Sequence, residues 1–136
     1  MKELDIKAVC ENLPEVLSFV DEQLAHLSCS HKVISQIDAA VEEIFVNISS
    51  YAYDPMIGSA TIRMEFSDDP LSVIISFVDG GVPYDPLAKP DPNLKIPVRD
   101  RRKGGLGIFI VKKTMDDVSY EYKDGQNILT IMKTLE

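Results

Sequence analysis

Three short stretches of the chain carry residues in patterns that suit chemistry. Glu43 and Asn47 stand four apart in Glu43-Ile44-Phe45-Val46-Asn47, so on a helix they share one face. A carboxamide oxygen there suits a magnesium ion, and a carboxylate can orient a hydroxyl or a water and take its proton. Asp79-Gly80-Gly81-Val82-Pro83-Tyr84-Asp85-Pro86 closes an apolar run. It sets an acceptor beside two residues without a Cβ, so a flat ligand could approach the backbone, and Pro83 and Pro86 stiffen the exit. Gly104-Gly105-Leu106-Gly107 precedes an apolar stretch of helical character. Free N–H groups at a helix start, with the positive dipole end, form an anion site that glycines leave open. Each stretch alone also has a plain structural reading: a solvated helix flank, a glycine-rich turn, a tight helix–sheet contact. The last matches neither the P-loop nor the dinucleotide fingerprint.

The elements around these stretches follow from hydrophobic period. Residues 3–10 alternate polar and apolar as a half-buried strand. Asn12 is a candidate cap and Pro14 a first-turn residue for a helix over about 14–28. Ser30 or Ser35 opens a second helix. Its stripe of Ile37, Ala40, Val41, Ile44, Phe45 and Ile48 is the strongest helical signal in the chain. That helix is expected to end near Tyr53-Asp54-Pro55, because the residue before proline is pushed out of the α region. Residues 60–66 and 71–78 read as an antiparallel hairpin, and residues 118–122 and 127–132 as another about Lys123-Asp124-Gly125-Gln126. Between the hairpins lies a long loop, 79–103, with five of the eight prolines, followed by a helix over 108–115. Loops of that length in small domains are functional lids or disordered. The order β-α-α-β-β-lid-α-β-β predicts an α+β fold with helices on one face of a mixed, mostly antiparallel sheet.

Composition bounds the function. A chain of 136 residues with 45% apolar and 26% charged residues reads as one ordinary globular domain. No apolar run approaches the roughly 20 residues of a membrane span, and the N-terminus lacks a signal-peptide pattern, so a cytoplasmic protein is expected. Cys10 and Cys29 read as free thiols. His26, Cys29 and His31 lie close in sequence but lack an obvious fourth ligand, and a polar helix–helix connection is the simpler reading. The net charge of −8 argues against nucleic acid as a direct partner. Residues 87–103 nevertheless carry a local charge of +4, which leaves −12 on the rest. A short basic loop on an acidic body suits a small anionic ligand.

Taken in order, Glu43-x-x-x-Asn47, Asp79-x-Gly81-x-Pro83 and Gly105-x-Gly107 resemble the N, G1 and G2 boxes of the gyrase, heat-shock chaperone, histidine kinase and mismatch-repair ATPase superfamily (GHKL). The small size and the strings VDGGVPYDP and GGLGIFIVKKTMDDVSYEY look like its anti-sigma-factor serine kinase branch. The resemblance covers nearly the whole chain. It implies a two-layer α/β sandwich of the Bergerat type, a single ATP-binding domain over 1–136 and an ATP lid at about 87–103. It implies ATP and Mg2+ as cofactors.

Residue by residue, the resemblance implies that Asp79 accepts from the adenine amino group, with Gly81 giving the base room and Pro83 completing that box. Asn47 would hold magnesium, and Glu43 would act as base on a serine hydroxyl. Gly104, Gly105, Leu106 and Gly107 would place backbone N–H groups at the phosphates, with Arg101, Arg102 or Lys103 meeting the terminal phosphate. The implied partners are a small antagonist (anti-anti-sigma) protein and a sigma factor, with a homodimer common in that branch and no membrane. One position departs from the pattern. Where the family usually has a basic residue, commonly His, four places beyond the motif Asn, this chain has Tyr51. Glu43 thus favours a kinase, and Tyr51 favours an ATP-binding interaction module without phosphoryl transfer.

Overall fold

Alternating apolar residues build five strands: β1 (Lys2–Lys7), β2 (Ser59–Ser67), β3 (Ser72–Asp79), β4 (Asp117–Lys123) and β5 (Gln126–Thr134). The computed structural model describes residues 1–53, 56–88 and 105–135, with backbone only for 105 and 106. The strands stand in the order β1-β2-β3-β5-β4. All four pairings are antiparallel, where the element order allowed a mixed sheet. The crossover after β3 does bring β4 back in the direction of β3. β5 lies between them and runs against both, so no parallel ladder forms. The β4–β5 hairpin closes through Asp124 and Gly125 at φ 54° and 77°, the left-handed pair that a type I′ turn requires.

Among the described residues three α-helices supply the second layer: α1 (Leu13–Leu24), α2 (His31–Asn47) and α3 (Gly105–Thr114). None of the described helices is long and apolar enough to cross a membrane. Ser30 caps α2, its Oγ accepting from the Val33 N–H at 3.2 Å. Asn12 precedes α1 but does not cap it; its amide donates instead to the Lys7 carbonyl at 2.9 Å. The stripe of α2 is buried as the spacing predicts, and Phe45, Ile37 and Ile44 pack with Val16, Val20 and Leu24 of α1. Ile62 and Met64 of β2, Ile75 and Phe77 of β3, and Ile131 of β5 close the core from the sheet side. α2 is thereby held between α1 and α3, and Ile44 and Asn47 in its last turn line a pocket with Phe77 and Asp79 at the end of β3.

Asp21 of α1 and Asp38 of α2 face one another across this packing. Each has a buried Oδ1 without a hydrogen-bond donor. Burial, and then the hydrogen bond and charge of Asp21, push the Asp38 carboxyl up to about 7. A proton held on Asp38 would supply the missing donor between the two side chains. The unfolded chain releases that proton near pH 4, so stability falls as pH rises from about 4 to about 7 and is level above that. An asparagine in place of Asp38 would keep the hydrogen bond without the titration. Asp38→Asn is expected to raise the melting temperature at pH 8 by a few degrees, because solvent screening leaves on the order of 1 kcal/mol. At pH 4 it should match the wild type. Melting curves at both pH values check this; equal shifts at both would exclude a proton held on Asp38.

Candidate functional site

The site begins where α2 ends. Glu43 and Asn47 are both half-buried, and the Asn47 Nδ2 donates to Glu43 Oε1 at 3.4 Å. Burial raises the Glu43 carboxyl above its ordinary value; the Asn47 donation opposes this, and the neighbouring charge of Glu42 adds to it. Part of that burial comes from α3. A Cβ on Gly107 would lie 2.1 Å from Glu43 Cδ, so glycine lets α3 close over the carboxylate. Beyond Asn47 the chain does not continue as an α-helix to Tyr53. Residues Ile48–Ala52 form a π-helical turn, and the Ile48 N–H is shared between the Ile44 and Phe45 carbonyls. The wider turn rotates Tyr51 and Ala52 relative to an α-helical continuation, a device common at functional sites.

The end of this turn is stitched to the end of β3. The Val82 N–H donates to the Ala52 carbonyl at 2.9 Å. Tyr53 Oη accepts from the Gly80 N–H at 2.7 Å and donates to the Ser59 carbonyl at 2.6 Å. Asp79, only 6% exposed, accepts at Oδ1 from the Gly81 N–H at 2.9 Å and from Asn127 Nδ2 at 3.0 Å. The Tyr84 N–H donates to Asn127 Oδ1 at 3.1 Å. The amides of Gly80, Gly81, Val82 and Tyr84 therefore all go to protein partners. Part of the room that Gly81 leaves is taken by the chain itself. A Cβ on Gly81 would lie 2.1 Å from the Ala52 carbonyl oxygen, so the glycine serves the close approach of two backbones.

Between the π-helical turn and the Asp79 turn lies a pocket that opens to solvent. Ile44, Ala52, Phe77 and Leu129 give it apolar walls, and Asn47 and Asp79 stand among its lining. Tyr51, half exposed, is also part of its wall. The hydrogen bonds of Asp79 to described residues all use Oδ1, which leaves Oδ2 as an acceptor at a mostly apolar pocket whose polar lining also includes Asn47, Tyr120 and Asn127. Pro83 is exposed and does not line the pocket; Val82, Tyr84 and Pro86 do. Gly105, Leu106 and Gly107 form the first three positions of α3. Gly104, the three basic residues Arg101, Arg102 and Lys103, and most of the proposed lid lie outside the described residues. Among the described residues no three His, Cys, Asp or Glu side chains gather as for a metal.

Asn127, Tyr120 and Tyr53 escaped the reading of the sequence. Asn127 had a signal: it is the one polar residue in the buried alternation Asn127-Leu129-Ile131 of β5. Tyr53 had none, because its partners are Gly80 and Ser59 on other elements.

The pattern over residues 6–133 matches the histidine kinase-like ATPase domain, and the chain belongs to that family. Its fold is that of the GHKL type, and the resemblance to the serine kinase branch is borne out by its relatives. It is 31% identical over 90 residues to the serine/threonine-protein kinase BtrW of Bordetella bronchiseptica, covering 66% of this chain and 63% of that protein. It is 28% identical over 100 residues to the serine-protein kinase RsbW of Bacillus cereus, covering 71% of this chain and 61% of the relative. The chain thus spans less than two thirds of the length of these relatives. Its fold is similar to the crystal structure of the RsbU and RsbW domains of a Mycobacterium tuberculosis protein, with a TM-score of 0.66 at 19% identity. That likeness covers 99% of this chain and 33% of the other.

Proposed function

We propose that this domain binds ATP between the π-helical turn and the Asp79 turn and transfers the γ-phosphoryl group to a serine of a small antagonist protein. We link that transfer to capture and release of a sigma factor. The observation that carries the reading is the pairing of the remaining carboxylate oxygen of Asp79, in a mostly apolar slot, with Glu43 and Asn47 beside it. An acceptor in such a slot selects a flat ring bearing an N–H donor, as adenine does, because an unpaired partner there would be costly. Asn47 Nδ2 is engaged by Glu43, which leaves its carboxamide oxygen for a cation, and one neutral oxygen with phosphates suits magnesium. Magnesium, when bound, would neutralise phosphate charge. Glu43, desolvated under α3, is a stronger base than an exposed carboxylate. It would take the serine proton while the rest of the site holds the phosphates in line.

Residues 87–103 would form the lid, with Arg101, Arg102 or Lys103 at the terminal phosphate and the backbone of Gly104, Gly105, Leu106 and Gly107 near the others. The protein would act in the cytoplasm, as a homodimer, as one domain over 1–136. A second reading keeps the nucleotide but not the transfer, and it is favoured by Tyr51. Its phenol stands in the pocket wall at the position where the family pattern usually has a basic residue, and it brings no positive charge.

Thermal shift separates binding from its absence. Mg-ATP at a hundredfold excess over Kd is expected to stabilise the wild type by about 2.7 kcal/mol, which is several degrees. Asp79→Ala should lose most of that gain. No stabilisation of the wild type by ATP or ADP would overturn the site. Radiolabel transfer to the cognate antagonist then separates kinase from binder, and its absence with a nucleotide-binding protein would leave the second reading.

A further inference from the structure

Asn127, the second residue of β5, lies directly opposite Asp79 in the β3–β5 register and is 6% exposed. Its amide donates to Asp79 Oδ1 at 3.0 Å and to the Val82 carbonyl at 2.8 Å. Its oxygen accepts from the Tyr84 N–H at 3.1 Å and from the Tyr120 hydroxyl at 2.5 Å. A carboxamide has two N–H donors and two acceptor lone pairs, so these four bonds use it fully. The remaining approach, to the Gly81 carbonyl at 3.5 Å, is at the limit of a hydrogen bond. Burial raises the Tyr120 phenol above its ordinary value, so it stays a donor through neutral pH.

We propose that Asn127 is a positioning residue with two tasks. It turns Asp79 so that Oδ1 is spent on protein and Oδ2 faces the pocket, and it ties that carboxylate to the first residues of the following segment, Val82–Tyr84. The first task rests on the nucleotide reading of the pocket; the second does not. Because the amide is saturated, Asn127 offers nothing to the ligand directly. It acts through Asp79 and through the loop. Only an amide meets this demand. A threonine has a single donor, and a leucine has none. An aspartate accepts but cannot donate, and it would set a second charge where the amide now lies 3.0 Å from Asp79 Oδ1.

The aspartate supplies the decisive test. At pH 8 Asn127→Asp sets a second carboxylate against Asp79; the two repel, and Asp79 Oδ1 keeps the Gly81 N–H but loses its side-chain donor. At pH 5.5 the close pair holds one proton between them, so that the introduced carboxyl can again donate. Relative to wild type at the same pH, Mg-ADP binding to Asn127→Asp is expected to weaken at least tenfold at pH 8. It should recover to within about threefold at pH 5.5. A role in packing alone would leave the same ratio at both pH values and would overturn the first task.

The loop task is read without ligand, by amide hydrogen exchange on Asn127→Leu. The Tyr84 amide should exchange at least about tenfold faster than in wild type, while the β3 amides of Ile75 and Phe77 keep their protection and report an intact sheet. Unchanged exchange at Tyr84 would overturn that task. If the Leu variant loses β3 protection, Asn127→Thr, smaller and still polar, is measured in its place against the same criterion. Failure of the wild type to bind Mg-ADP would overturn the nucleotide reading and the Asp79 task with it, while the exchange result would still decide the loop task.

Discussion

Gly81→Ala is expected to lower the melting temperature by roughly 10 °C, whereas Gly80→Ala next to it should change it by no more than about 2 °C. The two glycines look alike in sequence and are unlike in space. A Cβ on Gly81 would meet the Ala52 carbonyl oxygen at 2.1 Å, its carbon at 2.6 Å and its Cβ at 2.7 Å. These are backbone or near-backbone atoms with no rotamer to change. Ala52 is buried, and its carbonyl already accepts from Val82 at 2.9 Å, so separation of the two chains would break that bond as well. Overpacking of this kind costs about 3 kcal/mol. At Gly80 the nearest atom is Tyr53 Oη at 3.6 Å, ordinary contact. Scanning fluorimetry on the two variants decides the matter. Equal stability would mean that the Ala52–Gly81 approach is not needed for the fold. Loss of the turn would also displace Asp79, so the stabilisation by Mg-ATP should vanish with Gly81→Ala.

On the kinase reading, Glu43→Gln should reduce phosphoryl transfer by roughly a hundred- to ten-thousand-fold, with nucleotide binding within about threefold of wild type. Gln keeps the shape that α3 covers and can still meet Asn47, so the fold is not at issue; what is lost is a group that can hold the serine proton. Burial places the Glu43 carboxyl above its ordinary value. A base must be ionised to act, so the wild-type rate should fall with decreasing pH through that raised value. That acid limb should be absent from the residual rate of the Gln variant. Transfer untouched by Glu43→Gln would place the base elsewhere. Gly107→Ala approaches the same group from the other side. Its new Cβ would meet the end of a flexible side chain at 2.1 Å, so Glu43 can swing aside and the fold survives. A drop in transfer with melting within a few degrees of wild type is the expected pattern.

Much of this protein was determined by its sequence alone. The stripe of Ile37, Ala40, Val41, Ile44 and Phe45 specified α2, and alternation specified both hairpins, because a helix or strand repeats within a few residues of itself. Glu43 and Asn47 had to share a face for the same reason. Asp124-Gly125 named its own turn. The three boxes, being local strings, were enough to point to the family. Tertiary structure decided how these stretches meet. Whether β4 or β5 lies beside β3 depends on which surfaces bury best, and that choice removed the parallel pairing. The π-helical turn after Asn47 has no local mark, since i→i+5 bonding is won by docking Ala52 on Gly81 and Val82. Gly81 and Gly107 were legible as glycines, but their reasons, Ala52 and Glu43, come from distant stretches of chain. The partners of Asp79 were the least legible of all. Asn127 is 48 residues away in sequence, and only a folded sheet brings its amide within 3.0 Å of the carboxylate. The polar break in the alternation of β5 marks Asn127 as a residue in need of a partner, but nothing in either strand says which partner it is.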